Sequence, residues 1–369
     1  MFDKKKYVQF YKYICIQVFK IIYGKIKKTI NIKNVKKNII KKILFEHKIS
    51  YNFYNIPNGR LYTTSVHDTA FIQNNNLIIE PTYQFRIDKN DRVINGKINQ
   101  NTVILNGTPK LIKKINGSVY SLLSGGGAKN NYWHWIFDVV PKIAILEKAK
   151  LKKEPNYFLL PSLSRNFQKE TFLCLGIPYK KLLNGEKFKH IICDNLLASD
   201  HPIVFDNNPT KSISNIPIWV IKWLRKKFVT TKSINTKLHK KIFIDRENDS
   251  NNQNRKIVNN EEVKKLLTKS GFKYLILSNY SFKKQVEIFK AADFIIGLHG
   301  AGFTNIVFSK PKTRVLEIKT KTTGSHYSRL AKKCKLKYQE MLEENISSTL
   351  KHQNSHIVVN ISKLKKMIR

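Results

Sequence analysis

Acidic residues are scarce in this chain of 369 residues: 25 Asp and Glu stand against 68 Lys and Arg, a formal charge of +43. A surplus of that size directs attention to nucleic acid, an anionic membrane surface or an anionic substrate. Arginine is nonetheless rare, with ten residues against 58 lysines. Nucleic-acid interfaces favour arginine forks and clustered motifs, and the chain has no zinc-finger spacing, RNP-like run or basic-zipper pattern. Nucleic acid is therefore set aside as a partner. Cysteine is scarce too: Cys15, Cys174, Cys193 and Cys334 lie far apart with no C-x-x-C, which excludes a disulfide framework and a cysteine metal site. Buried free thiols in a reducing compartment are expected.

Long apolar runs are also missing. The stretch "YVQFYKYICIQVFKIIY" (7–23) is aromatic and apolar but is interrupted by Gln9, Lys12, Gln17 and Lys20. It is too short and too charged to span a bilayer, and no small-residue cleavage site follows it, so neither a membrane span nor a signal peptide is expected. Residues 1–50 hold 14 Lys against Asp3 and Glu46, a balance of +12. This basic segment suits either an amphipathic helix on an anionic bilayer or a Lys-rich helix packed on the protein's own body.

What is present argues for a packed globular protein: 41% hydrophobic residues, with 21 Phe, 16 Tyr and 4 Trp. The length suits two domains with a cleft between them. After the basic segment 1–50, residues 51 to about 120 read as short strands ("LYTTSV", "TAFIQ", "NLIIE", "TVILNG", "SVYSLL") between Asn, Gly and Pro turns. "NNYWHWIFDVVPKIAILEKAK" suits a helix kinked near Pro141. The strand patterns "NYFLLP", "HIICD" and "PIVF" then alternate with helical stretches, which implies a mainly parallel α/β sheet. "IPIWVIKWLRKKF" closes this first domain (51–228) as a helix, and a linker is expected over 229–240. In 241–345, "KKIFIDR", "KYLIL", "DFIIGL" and "TRVLEI" alternate with the helices "NNEEVKKLLTKSG" and "SFKKQVEIFKAA", the rhythm of a Rossmann-type domain. Residues 346–369 are left as a C-terminal tail.

The chemistry concentrates at strand ends. "IIGLHGAGFTNIVF" (295–308) places His299 among three glycines where a strand gives way to a turn. Glycines let backbone approach a ligand, and free N–H groups at a helix start favour phosphate. The order is G-x-x-G-x-G, so the dinucleotide fingerprint G-x-G-x-x-G is absent. The HG-rich run could also form an esterase oxyanion hole, but the required G-x-S-x-G elbow is absent as well. Arg246 follows one strand, Arg255 sits in the adjoining loop, and Glu317 ends another. Two guanidinium groups can neutralise a diphosphate, and a strand-end carboxylate can accept bonds from ribose hydroxyls.

These residues resemble glycosyltransferase family 61: the block from "FIDREN" to "TRVLEI" looks like its carboxy-terminal half, and "NNYWHWIFDVVPKI" resembles its other signature. Together the blocks cover roughly residues 130 to 320. The resemblance implies a GT-B-like α/β enzyme with two Rossmann-type domains facing a cleft, inverting transfer from a nucleotide sugar, and a place in capsule or lipopolysaccharide synthesis. Carried over residue by residue, Arg246, Arg255, His299, Gly300, Ala301, Gly302, Asn305 and Glu317 would line the donor site. The expected donor class is a UDP-sugar, the acceptor a glycan or lipid-linked glycan, and the expected place the cytoplasmic, inner face of the cell membrane.

No two aspartates are spaced as D-x-D, so no metal or other cofactor is expected, and leaving-group charge would fall to Arg246, Arg255, lysines and helix N–H groups. Inverting transfer needs a general base for the acceptor hydroxyl. His134 and Asp138 are four residues apart and share a helix face, so either a His134–Asp138 pair or Asp138 alone could serve. Trp133 and Trp135 either stack on a sugar or pack the core, and Gly126 and Gly127 either approach a substrate or make a plain turn. A non-catalytic nucleotide- or polysaccharide-binding scaffold is the alternative function.

Overall fold

The computed structural model describes residues 4–35, 39–45, 49–65, 68–87, 93–123, 130–204, 212, 214–229, 238–246, 255–346 and 356–369. They form two compact units, Met1–Ile213 and Ser214–Arg369.

The first unit opens with a helix, Lys4–Tyr23, and then builds one eleven-stranded sheet. Its strands are β1 (Lys28–Ile30), β2 (Ile39–Leu44), β3 (Ser50–Ser65), β4 (Asp68–Gln73), β5 (Asn76–Ile78), β6 (Tyr83–Ile87), β7 (Val93–Asn95), β8 (Lys113–Ser121), β9 (Tyr157–Leu160), β10 (Leu182–Asn184) and β11 (His190–Ser199). The main path runs β1-β5-β4-β3-β11-β8-β9-β10. This sheet is not the Rossmann half that was expected. β3 is a single strand of 16 residues, paired antiparallel with β2, β4 and β11. Short connections enforce that arrangement: Asn74 (φ 49°) and Asn75 (φ 58°) turn the chain left-handed between β4 and β5 in a two-residue hairpin. β11, β8, β9 and β10 run parallel, as does the short β1–β5 pair, and the β8–β9 and β9–β10 crossovers carry helices.

Several local expectations change for identifiable reasons. "TVILNG", read as a strand, is the helix Thr102–Asn106: the Asn101 side chain accepts from Val103 N, and Gly107 at φ 63° stops the helix after one turn. "PIVF" has no strand among its described residues. Within the basic segment 1–50, β1 and β2 join the sheet, so the segment is not helical throughout. The core under the sheet is built by Ile56, Leu61, Phe71, Val119, Leu159 and Leu196, with no exposed surface on any of them.

The second unit is the doubly wound domain that was expected. β12 (Lys241–Asp245), β13 (Lys273–Ile276), β14 (Phe294–Leu298), β15 (Arg314–Thr320) and β16 (Lys337–Glu343) are all parallel, in the order β13-β12-β14-β15-β16. Counting β12 as first, the order is 2-1-3-4-5, which reverses direction between β12 and β14. In such sheets the ligand crevice lies beyond the carboxyl ends of the strands at that reversal. The connections are the helices Asn260–Lys269, Phe282–Ala291 and His326–Lys333 and the 3-10 helix Ala301–Phe308.

Two segments belong to this unit that the sequence assigned elsewhere. The helix Ile218–Phe228, expected to close the first domain, groups here: Arg225 donates to the carbonyls of Val307 (2.6 Å) and Ser309 (2.8 Å), and the Phe228 ring packs on Phe282 and Phe308. The linker read over 229–240 lies, for residues 230–237, outside the described residues. The expected tail 346–369 is also structural. Ile357, Val359, Leu364 and Ile368 enter the core with Phe243 and Val263, and a last helix spans Ile361–Met367. Asn259 stands just before the helix Asn260–Lys269 yet does not cap it: its side chain exchanges two hydrogen bonds with the Val359 backbone at 2.9 Å.

Leu364→Ala should therefore lower unfolding stability by about 2–5 kcal/mol, the cost of a large-to-small change in a close-packed core. Urea denaturation measures this; a change under about 0.5 kcal/mol, typical of a surface position, would return the segment to the status of a tail.

Candidate active site

In the first unit the chain leaves the carboxyl end of β8 and enters a helical segment that starts at Tyr132. The Asn131 side chain accepts from Trp133 N and His134 N and so caps it. Residues Trp135–Val139 continue as a π-helical turn before the helix Lys142–Ala149 begins behind Pro141. Such turns widen the helix and re-aim side chains, and they recur at functional sites. Here the turn buries Asp138 completely, at 0% exposure.

Around Asp138 stand three basic groups. His134 Nδ1 lies 2.7 Å from Asp138 Oδ2. A carboxylate can only accept, so Nδ1 carries the hydrogen and, in the neutral ring, Nε2 keeps its lone pair. The His134 side chain is 23% exposed, and it is the member of the pair that reaches solvent. The ring of His201 faces the other oxygen, Nε2 to Oδ1, at 3.8 Å, while Ile203 N donates to its Nδ1 at 3.0 Å. Burial pushes His201 down to about 4, against the opposing pull of Asp138. Lys142, one turn beyond Asp138, has no exposed surface and donates to the Leu122 carbonyl at 2.7 Å. Burial pushes its ammonium down to about 7, again opposed by Asp138.

Trp133 and Trp135 take the core alternative. Trp135 is fully buried, donates to Thr171 Oγ1 at 2.9 Å and packs on Phe167 and Phe172; Trp133 is nearly buried and meets Phe137 edge-on at 4.5 Å. Neither offers a free face to a sugar. Gly126 and Gly127 lie outside the described residues.

In the second unit the predicted residues converge at the reversal point. Arg246 follows β12 and His299 follows β14; Arg246 Nη1 donates to the His299 carbonyl at 3.0 Å. Arg255, between β12 and the helix Asn260–Lys269, takes the left-handed backbone (φ 62°) that non-glycine residues seldom adopt. Burial, and next to it the Arg246 guanidinium, push Arg255 down to about 10, and its buried Nε has no acceptor among the described residues. Two guanidinium groups thus repel one another in a half-buried place.

Glu317 does not stand ready for a ribose. It has 0% exposure, and its oxygens accept from His299 Nδ1 and from the Tyr338 hydroxyl of β16. Both are occupied, so Glu317 orients His299. Asn305 is also fully buried and donates to Gln285 Oε1 at 2.9 Å, which ties the 3-10 helix to the helix Phe282–Ala291. The glycines make room for protein rather than for ligand. A Cβ at Gly300 would collide with the Arg246 guanidinium, and one at Gly302 would sit 2.9 Å from Leu277 Cδ1. Ala301, between them, opens the 3-10 helix.

Sequence reasoning missed five members of these clusters. Tyr327 and His326 lie with ring centres 5.1 and 5.5 Å from His299, and Tyr338 holds Glu317. Nothing local marks them, since the helix His326–Lys333 and the outer strand β16 bring them in. His201 is equally remote in sequence from Asp138. Lys142 was within reach: it stands four residues after Asp138 inside an apolar run, where a lysine asks for a partner.

The depressed Lys142 carries a stability signature. Between about pH 7 and its ordinary 10.5 the unfolded chain holds a proton that the folded chain does not, so this group makes stability rise with pH across that window. Lys142→Met should flatten the rise, by up to about 1.4 kcal/mol per pH unit. Urea unfolding of both proteins at pH 7.5 and 9.5 tests it, and parallel curves would contradict the burial effect.

Comparison with known proteins closes on the same stretch. Residues 132–316 match the glycosyltransferase 61 family, from the helix of His134 to the strand of Glu317. A beta-1,2-xylosyltransferase of Arabidopsis thaliana is 38% identical over 78 residues, a stretch that is 20% of this chain and 15% of that protein. With half of its length matched, including the segment of the first histidine pair and the strand-end arginines of the second unit, this chain belongs to the glycosyltransferase 61 family.

Proposed function

We propose that the chain transfers a sugar from a nucleotide sugar, of the UDP class, to a glycan acceptor with inversion at the anomeric carbon. The observation that carries the reading is the Arg246–Arg255 pair: a half-buried guanidinium with an unmet Nε, crowded by a second one, at the reversal point of a doubly wound sheet. A diphosphate relieves both the repulsion and the missing acceptor. His299, oriented by Glu317, adds a third contact as the imidazolium, whose Nε2–H donates to a phosphate oxygen.

The first unit supplies acceptor activation. His134, with Nδ1 committed to buried Asp138, has the tautomer that takes a proton at Nε2. Asp138, with no exposed surface, acts through it rather than on the acceptor. In the reaction the acceptor hydroxyl gives its proton to His134 and its oxygen bonds to the anomeric carbon. The sugar–phosphate bond breaks, and its electron pair leaves on the nucleoside diphosphate, where the guanidinium charges meet it. The absence of D-x-D spacing in the sequence favours a cationic clamp over a bridging metal. The name of the Arabidopsis relative, a xylosyltransferase, suggests a pentose donor, and a capsule or lipopolysaccharide acceptor is the context we assign.

His134→Ala should slow transfer by about 100- to 10,000-fold while leaving UDP affinity within about twofold, and Asp138→Asn should also slow it by holding the wrong tautomer. Unchanged turnover in both variants would remove the assignment. Arg255→Ala should weaken UDP binding by about 10- to 100-fold, the scale of lost charge-assisted hydrogen bonds. Calorimetric titration with UDP in EDTA measures this, and binding that appears only with Mg²⁺ would contradict the cationic clamp.

A further inference from the structure

Among the described residues, the N-terminal helix Lys4–Tyr23 is seated at its carboxyl end. There Lys20 Nζ donates to the Leu105 carbonyl at 2.8 Å, the Tyr23 hydroxyl accepts from Ile112 N at 3.2 Å, and the Tyr23 ring meets His190 edge-on at 5.4 Å. Residues Lys6 to Ile14, by contrast, are exposed on every side of the helix. Large apolar side chains are left in water: Phe10 is 63% exposed and Ile21 84%.

These side chains are ordered. Tyr7, Phe10, Ile14, Val18 and Ile21 follow one another at intervals of three and four, which places them along one face, and Val8, Tyr11 and Ile22 widen it. A contiguous apolar face of this kind on a soluble protein marks an interaction surface. Its charge is of one sign: the helix holds five lysines and no acid, and the next acidic residue after Asp3 is Glu46.

Four occupants compete for the face. The protein's own body is seated at the other end of the helix. A bilayer crossing is ruled out by length and apolarity, since no described helix is long and apolar enough. A second copy would bring Lys6 and Lys12 against their own kind with no acid to pair them, and the face is wider than a coiled-coil seam. An anionic bilayer fits every feature: Tyr and Phe suit the headgroup boundary, the aliphatic residues reach the acyl region, and lysines meet lipid phosphate.

We infer that the N-terminal helix docks the protein on an anionic lipid surface, with the Tyr7–Phe10–Ile14–Val18–Ile21 face at the headgroup–acyl boundary and Lys6 and Lys12 against lipid phosphates. Docking is read without turnover, so its outcome is separable from that of the transfer reaction.

The test is co-sedimentation of the full chain with vesicles of phosphatidylcholine alone or mixed with phosphatidylglycerol. Binding is expected on the mixed vesicles, weakening as salt rises, and none is expected on phosphatidylcholine alone. The triple variant Phe10→Ser, Ile14→Ser, Ile21→Ser should bind at least roughly tenfold more weakly at an unchanged unfolding midpoint, because all three positions are exposed. Lys6→Glu with Lys12→Glu should weaken binding to the anionic vesicles as well. Absence of wild-type binding, equal binding to neutral vesicles, or undiminished binding by the serine variant overturns the inference. So does a dimer, seen by sedimentation equilibrium without lipid, that the serine variant dissolves.

Discussion

A carboxylate taken fully out of water must be paired or it destabilises the fold by several kcal/mol, and both units of this protein are organised around one such group. Asp138 and Glu317 have no exposed surface, and each accepts from the Nδ1 of a histidine. The pairing settles the imidazole tautomer and leaves Nε2 as the chemically available nitrogen. It also sets what must surround each carboxylate. Lys142 and His201 gather at the first, and Tyr338 closes the second. The same device therefore serves two sheets of different construction, one mixed and one wholly parallel.

The backbone decides where these pairs stand. In the second unit the strand order reverses between β12 and β14, and the residues that leave those strands, Arg246 and His299, are joined by a hydrogen bond. The glycines around His299 make that junction possible, since the space beside Gly300 holds the Arg246 guanidinium and the space beside Gly302 holds Leu277. Packing thus holds the Arg246 guanidinium against the His299 backbone. In the first unit the parallel strands β8 and β9 require a crossover, and the π-helical turn within it carries Asp138 inward and His134 outward.

Much of the second unit was legible because each of its signals is local. The helix Asn260–Lys269 shows its acidic first turn and the glycine that follows, Ser281 caps its helix as its position suggests, and β12, β14 and β15 are short apolar runs. Misreadings arose where a residue answers to distant partners. Asn259 gives its side chain to Val359 rather than to the helix start, and the segment 356–369 is amphipathic only with respect to a core that the sequence does not display. "TVILNG" is apolar enough for a strand, and a cap at one end and a left-handed glycine at the other make it a helix.

At the sites the division is similar. The spacing of His134 and Asp138, the strand-end positions of Arg246 and His299 and the family resemblance were present in the sequence alone, because helix period and strand boundaries are short-range properties. The sequence also determined the one-signed charge and the apolar period of the N-terminal helix. Only the tertiary structure decided that Asp138 is buried and His134 partly exposed, that Glu317 serves His299 instead of a ligand, that Trp135 belongs to the core, and that Tyr327, Tyr338 and His201 join the clusters. Burial and hydrogen-bond partnership depend on which remote segments fold against a residue, and no local pattern encodes them.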